Sequence, residues 1–324
     1  MELKQLKYLL SVSELGSFSK AAVVLSVAQP VLSRHIRSLE EELGVELLHR
    51  TGRGIVVSDA GKVVVDHARS IMASIGAISA DIDTLRSDPS GRISIGMPPT
   101  AGSVLTAPLI ERFHEEYPRI RLKVQEGYSG HVLEWLSTGR IDVAILYNAP
   151  KTSTLMTEPL IEEELLLVGP GRERCMAMNG PVSGEQLAEL PLILPSHPHG
   201  LRVLVESLLG ARKIYPNVEY EIDSLSAVVN MVERGVGYTI LPYASVNSKV
   251  EDGALRVTSI IEPRMTRHLV LATSTQRPVT NATRMLAKMV TQLVRDLVRE
   301  GVWLPRVSTA DQYHASTSSI PAIP

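Results

Sequence analysis

The stretch Gly16–Gly61 reads GSFSKAAVVLSVAQPVLSRHIRSLEEELGVELLHRTGRGIVVSDAG. Ser17 can cap a helix from Phe18 to Leu25, in which Ala21, Ala22 and Leu25 form a small apolar face. After a short break, a second helix is expected from about Gln29 to Leu43. Its Leu32, Ile36, Leu39 and Leu43 recur every three or four residues and make a stripe for the core. Gln29, Ser33 and Arg37 lie one turn apart on another face, with Pro30 and Arg34 beside them. Gly44 then ends the helix, as a glycine beyond the last turn often does. Leu47–Arg50 and Ile55–Val57 are short β-prone runs. The Thr-Gly-Arg-Gly between them is a hairpin tip, flanked by Arg50 and carrying Arg53.

On the N-terminal side, Leu3, Leu6, Leu9, Leu10, Val12 and Leu15 recur at helical spacing until Gly16 stops them. On the C-terminal side, Ser58 can cap a long helix running to about Arg86. Its Val64, Ala68, Ile71, Ile75, Ile78, Ile82 and Leu85 step by three and four. A helix of that length has to bury its stripe, and a partner helix from a second copy is the natural place. Three short helices and a hairpin make a winged helix-turn-helix, with the long helix attached. On an arbitrary helix, polar residues such as Gln29, Ser33 and Arg37 are usually only a solvated face. Acidic and basic residues also balance over this segment, but the acids cluster at Glu40–Glu42, beyond the polar face. The local field at Arg34, Arg37, Arg50 and Arg53 can therefore still be positive.

The run of paired alanines, Gln-Pro, Leu-Ser-Arg, Ile-Arg-x-Leu-Glu, Leu-Gly and an Arg-Thr wing resembles the DNA-binding domain of LysR-type transcription regulators. The pattern is long and specific. Ala28 departs from it, standing where many relatives have Ser or Thr to cap the recognition helix, which implies a weaker cap and the same fold. The resemblance implies that Gln29, Pro30, Ser33, Arg34 and Arg37 enter the major groove, and that Arg53 approaches the neighbouring minor groove or its phosphates. It further implies dimers through the linker helix, tetramers in most members, promoter DNA as a partner and RNA polymerase as a further one.

Beyond the turn-rich Asp88-Pro89-Ser90-Gly91, strands and helices alternate. Strands are expected at Ile93–Met97, Ile120–Val124, Val143–Leu146, Glu163–Val168, Leu192–Leu194, Val218–Ile222, Gly237–Leu241 and Leu269–Ala272. A final helix is expected from about Asn281 to Arg299. Such alternation gives open, mostly parallel α/β sheets. By resemblance, this is a two-lobed effector domain of the periplasmic-binding-protein type, which the chain crosses twice. The expected organisation is a winged helix-turn-helix over 1–57, a linker helix over 58–87 and an effector domain over 92–305. Lobe one takes 92–160 and 268–305, lobe two takes 161–267, and 306–324 is a disordered tail rich in Ser, Thr, Ala and Pro.

Ligands of open α/β sheets sit at the carboxyl ends of strands. Here those ends run into Met97-Pro98-Pro99-Thr100, Gly127-Tyr128-Ser129, Tyr147-Asn148 and Pro195-Ser196-His197-Pro198-His199-Gly200. Thr100, Ser129 and the His199 region fall at helix starts, where free N–H groups and the helix dipole attract anions. Thr100 and Ser129 are the leading effector contacts, and Tyr147, Ser196, His197, His199 and Thr239 are further ones. Each hydroxyl alone is more often a helix cap. The effector expected is a small anionic organic molecule.

Of the 324 residues 44% are hydrophobic, and 33 basic side chains face 35 acidic ones, unlike a protein that coats nucleic acid indiscriminately. Cys175 is the single cysteine, so no internal disulfide forms, and a reducing, cytoplasmic setting is expected. No secretion signal and no apolar run of about 18 residues is seen. His197 and His199 are spaced as a metal pair but have no further ligand nearby, and Cys175 lacks a local His signature. No P-loop, dinucleotide fingerprint or nucleophile elbow appears. Neither an enzyme nor a cofactor is expected. A solute-binding protein would carry a secretion signal, and an architectural DNA-binding protein would be more basic and lack the large α/β region.

Overall fold

The computed structural model describes residues 1–52, 54–85, 91–171 and 180–304. Arg53, the 88–90 turn, Cys175 and the 306–324 tail lie outside the described residues.

The N-terminal unit contains α1 (Leu3–Leu15), α2 (Phe18–Leu25) and α3 (Gln29–Leu43), then β1 (Leu48–Thr51) and β2 (Gly54–Val57). Ser17 Oγ accepts from the Lys20 N–H, and Gly16 and Gly44 close α1 and α3 in the left-handed region at φ 60° and 70°. Ala28 gives α3 no side-chain cap, and Pro30 preforms its first turn. Leu32, Ile36 and Leu39 are buried, packing with Tyr8, Val12 and Ala21 on one side and with Leu6, Leu9 and Leu47 on the other. The hairpin is antiparallel, with Leu48 opposite Val57 and Arg50 opposite Ile55.

Helix α4 (Asp59–Leu85) has 27 residues, about 40 Å of helix. Ser58 ties its start to the wing: its Oγ accepts from the Gly61 N–H at 2.9 Å and donates to the Glu46 carbonyl at 2.6 Å. Val65 and Ala68 are buried in the winged domain, and Ile71 packs beside them with Leu10. Ile71, expected in a seam with a second copy, is half-buried against its own domain's core. Ile75 and Ile78 are exposed at 37% and 61%.

The C-terminal unit continues with β3 (Gly91–Met97), α5 (Pro99–Glu116), β4 (Ile120–Glu126), α6 (Ser129–Ser137), β5 (Val143–Tyr147) and β6 (Leu155–Pro170). Next come β7 (Val182–Ser183), α7 (Gly184–Ala188), β8 (Leu192–Leu194), α8 (Gly200–Gly210), β9 (Val218–Glu221), α9 (Leu225–Glu233) and β10 (Thr239–Pro242). The chain ends with α10 (Asn247–Glu251), β11 (Leu255–Ile261), β12 (Thr266–Ser274) and α11 (Asn281–Arg299). The strand order is β4-β3-β5-β12-β6-β11-β7, with β10 also on β6. Strand β3 lies parallel to β4 and β5, while β12 runs antiparallel to β5 and β6.

The 16-residue β6 is the structural axis. Its first half pairs with β12, and its second half lies between β10 and β11. The sequence reading recognised only Glu163–Val168 and missed β11 altogether. The stretch before Glu163 carries Pro159 and the acids Glu158 and Glu162, so only its pairing with β12 makes it a strand. Two bodies of core flank this axis. Ile95, Leu105, Phe113, Leu293 and Trp303 belong to one, and Leu167, Leu194, Val205, Ile240 and Ile260 to the other. The chain passes between them at β6 and again where β11 leads into β12.

Candidate functional site

Two surfaces meet the chemical expectations. On α3, Gln29, Pro30, Arg34 and Arg37 are exposed and Ser33 is half-buried. Gln29 accepts weakly from Ser19 Oγ at 3.4 Å. Among the described residues, Arg34 and Arg37 make no ion pair. Two of the three nearby acids are engaged elsewhere: Glu40 Oε1 accepts from the N–H groups of Leu47 and Leu48, and Glu42 pairs with the chain's amino terminus. The polar face of α3 thus carries two exposed guanidinium groups without a carboxylate paired to them among the described residues. Arg50 lies in β1 on the wing.

The second surface is a cavity of about 490 Å³ between the two bodies of the C-terminal unit, in the size range of small-molecule sites. Pro98–Thr100, Tyr128, Ser129, Tyr147 and Arg267 line one wall. His199, Leu201, Leu204, Ile222, Asp223, Val228, Thr239 and Leu241 line the other. Thr100, Ser129 and Gly200 stand in the first turns of α5, α6 and α8, so three helix N-termini meet here.

The cavity brings together Thr100, Ser129, Tyr147, His199 and Thr239 from among the expected residues. It does not include Ser196 or His197. Ser196 turns away to Asp223, whose carboxylate accepts from its N–H at 2.9 Å and from its Oγ at 2.8 Å. These bonds hold the Asp223 carboxyl below its ordinary pKa. His197 Nε2 lies 3.0 Å from Glu206. Thr239 Oγ1 donates to the Ile193 carbonyl at 2.7 Å, so its hydroxyl serves the backbone.

Arg267, Glu163 and Trp303 were not legible as site residues. Glu163 is 1% exposed and Arg267 4%. Arg267 Nε donates to Glu163 Oε1 at 2.6 Å, its Nη2 donates to Thr100 Oγ1 at 3.0 Å, and Trp303 Nε1 donates to Glu163 Oε2 at 2.8 Å. The guanidinium lies over the Tyr147 ring, with Cζ 3.5 Å from its centroid. Thr100 Oγ1 donates to Tyr147 Oη at 3.1 Å, and Ser129 Oγ accepts from the Tyr147 N–H at 3.2 Å. Burial pushes the Tyr147 phenol up, so it stays protonated. Across the cavity mouth Tyr128 Oη donates to the Asp223 carbonyl at 3.0 Å, and its ring meets that of His199 edge-on at 4.4 Å.

His199 is the N-cap of α8, its Nδ1 accepting from the Leu201 N–H at 3.1 Å. Burial, and after it the charge of Arg267, lowers its pKa below the ordinary histidine value of 6.5. A protonated ring cannot accept at Nδ1. As pH falls the unfolded chain takes this proton first, so the cap's contribution is complete above about pH 7 and is lost through the acidic range. Acidification from pH 7.5 to 5 should therefore lower the melting temperature of the native protein more than that of His199→Asn, whose amide caps without titrating. Identical pH profiles for the two proteins would mean that this cap does not titrate in the range.

Among the described residues no cluster of His, Cys, Asp or Glu could hold a metal ion, and no helix is long and apolar enough to cross a membrane. Residues 3–62 match the family model "Bacterial regulatory helix-turn-helix protein, lysR family", and residues 86–295 match "LysR substrate binding domain". The HTH-type transcriptional regulator BbuR of Bordetella bronchiseptica is 32% identical over 292 residues, 90% of each chain. The nitrogen assimilation regulatory protein nac of Klebsiella aerogenes is 29% identical over 91% of this chain and 95% of its own. Among solved structures, a full-length OxyR variant from Pseudomonas aeruginosa superimposes with a TM-score of 0.73 at 23% identity, covering 95% of this chain and 98% of that one. CbnR in complex with its target DNA gives 0.64 at 22% identity, covering 91% and 99%. These relatives are regulators rather than enzymes. With an N-terminal DNA-binding domain and a C-terminal effector-binding domain, the chain belongs to the LysR family of bacterial transcriptional regulators.

Proposed function

We propose that this regulator acts in the cytoplasm on promoter DNA through α3 and the wing, in response to a small anionic organic metabolite held in the cavity between its lobes. The observation that carries the reading is the convergence of three helix N-termini and a buried arginine on one cavity of about 490 Å³. Lobe one is taken as 92–160 with 268–305, lobe two as 161–267, and α4 as the dimerisation helix. Tetramers and contact with RNA polymerase belong to the same reading. An effector touching both walls favours one relative lobe orientation by its differential affinity, and α4 passes that bias to the winged domains.

The double change Thr100→Val with Ser129→Ala should abolish the response to effector while basal DNA binding survives, as read by titration calorimetry and footprinting. Undiminished effector affinity would place sensing elsewhere. At the DNA, Gln29, Pro30, Ser33, Arg34 and Arg37 are proposed to enter the major groove, with Arg50 and Arg53 on the wing at the phosphates. Arg34→Ala should weaken operator binding by about 1–3 kcal/mol in a gel-shift titration. An unchanged midpoint would remove α3 from the groove.

A further inference from the structure

Resting on the reading of the cavity as the effector site, we infer that its ligand is a monoanion: one carboxylate on an aryl or aliphatic body, as opposed to a dicarboxylate, a phosphate ester or a sugar.

The head position follows from Arg267. It is 4% exposed and lines the cavity. Its Nε and Nη2 are used by Glu163 and Thr100, and among the described residues nothing accepts from Nη1. A buried guanidinium with an unused N–H edge calls for an acceptor. The first turns of α5 and α6 open beside it at Thr100 and Ser129, and at the start of α6 the N–H groups of Ser129, Gly130 and His131 have no backbone partner among the described residues. Helix dipole, free N–H groups and guanidinium edge together fit one carboxylate.

The limit of one charge follows from the remaining lining. Arg267 is the single cationic side chain there, and Glu163 already balances it. His199 uses Nδ1 as an acceptor, so it is a neutral ring. The other charged lining residue is Asp223 on the opposite wall, an anion. A second carboxylate or a dianionic phosphate would face that charge with no cation to meet it. The body position follows from Leu201, Leu204, Ile222, Leu225, Val228 and Leu241, which give the lobe-two wall an aliphatic surface. A sugar would leave its hydroxyls unpaired against that wall, whereas a hydrocarbon body gains from leaving water.

The test titrates the full-length protein with phenylacetate, hexanoate and octanoate, each beside its own amide, and with succinate, inorganic phosphate and glucose, by calorimetry and thermal shift. At least one monocarboxylate should bind at least tenfold more tightly than its amide and than succinate, phosphate or glucose. Its binding should be lost in Thr100→Val with Ser129→Ala. If succinate, phosphate or glucose binds as tightly, or if none of the three monocarboxylates binds at millimolar concentration, the ligand class is overturned. If such a competing probe is nonetheless lost in the double variant, the cavity stands as the effector site. A monocarboxylate that binds the double variant undiminished overturns the site itself.

Discussion

Arg267→Met should destabilise the C-terminal unit by about 3–5 kcal/mol, because it strands a carboxylate that has no route to water. Glu163 is 1% exposed, and without Arg267 it keeps only neutral side-chain partners, the Trp303 indole N–H and the Tyr147 phenol. The same change takes the cation from the Tyr147 ring and a donor from Thr100. For a unit of this size the loss corresponds to a melting shift on the order of 10 °C. Trp303 touches the pair directly, so tryptophan emission during denaturant unfolding reports the transition of interest. Adding Glu163→Gln to Arg267→Met should recover much of the loss, since removing both charges leaves nothing ionised to bury. A single-variant cost below about 1 kcal/mol would mean that the pair is solvated, as surface pairs are. The pair sits where β6 and β12 join the two lobes, so its loss also bears on how firmly the cavity walls are held.

What the sequence discloses about this molecule follows the range of the forces involved. Helices α1, α2 and α3 were legible because their signals are local: Ser17 as a cap, Gly16 and Gly44 as left-handed stops, and apolar positions at helical spacing between them. Thr100, Ser129 and His199 were legible as helix starts for the same reason. The cavity's charged floor was not. Glu163 and Arg267 are 104 residues apart and read locally as polar positions in strands; only the antiparallel register of β6 and β12 sets Arg267 opposite Glu163. Ser196 and His197 show the converse. Being in the same loop as His199 suggested that they share its cavity, but Asp223 draws Ser196 aside, and His197 pairs with Glu206 on α8. A loop's residue list says nothing about which way each side chain turns, and the partners that decide it come from β9, α8 and their neighbours. Helix α4 lies between these cases. Its apolar period was plain, but that Ile71 also packs against the winged domain's own core depends on α1 and the wing, which the local period does not show.

Farther along α4, past the winged domain's core, Ile75 and Ile78 are exposed, and Ile75→Asp is the sharpest test of assembly. The side chains of Ile82 and Leu85 lie outside the described residues. A two-fold pairing of α4 helices is isologous, so each Ile75 meets the partner helix and every substitution counts twice. An aspartate in that seam buries a charge with no counter-ion and sets two like charges near one another, which costs several kcal/mol. A loss of about 5 kcal/mol corresponds to three to four powers of ten in the dimer dissociation constant. Sedimentation should then show the smaller species at micromolar concentration, with the helical signal of the winged domain retained, since Val65 and Ala68 still anchor α4 in its own core. Binding to a full operator should fall with the dimer, because two half-sites engaged by one particle bind as a linked pair, while a single half-site should be bound as weakly by the variant as by the native chain. A variant that stays fully oligomeric would show that Ile75 lies outside the seam. A variant that becomes monomeric yet holds the full operator at native affinity would separate DNA recognition from assembly through α4.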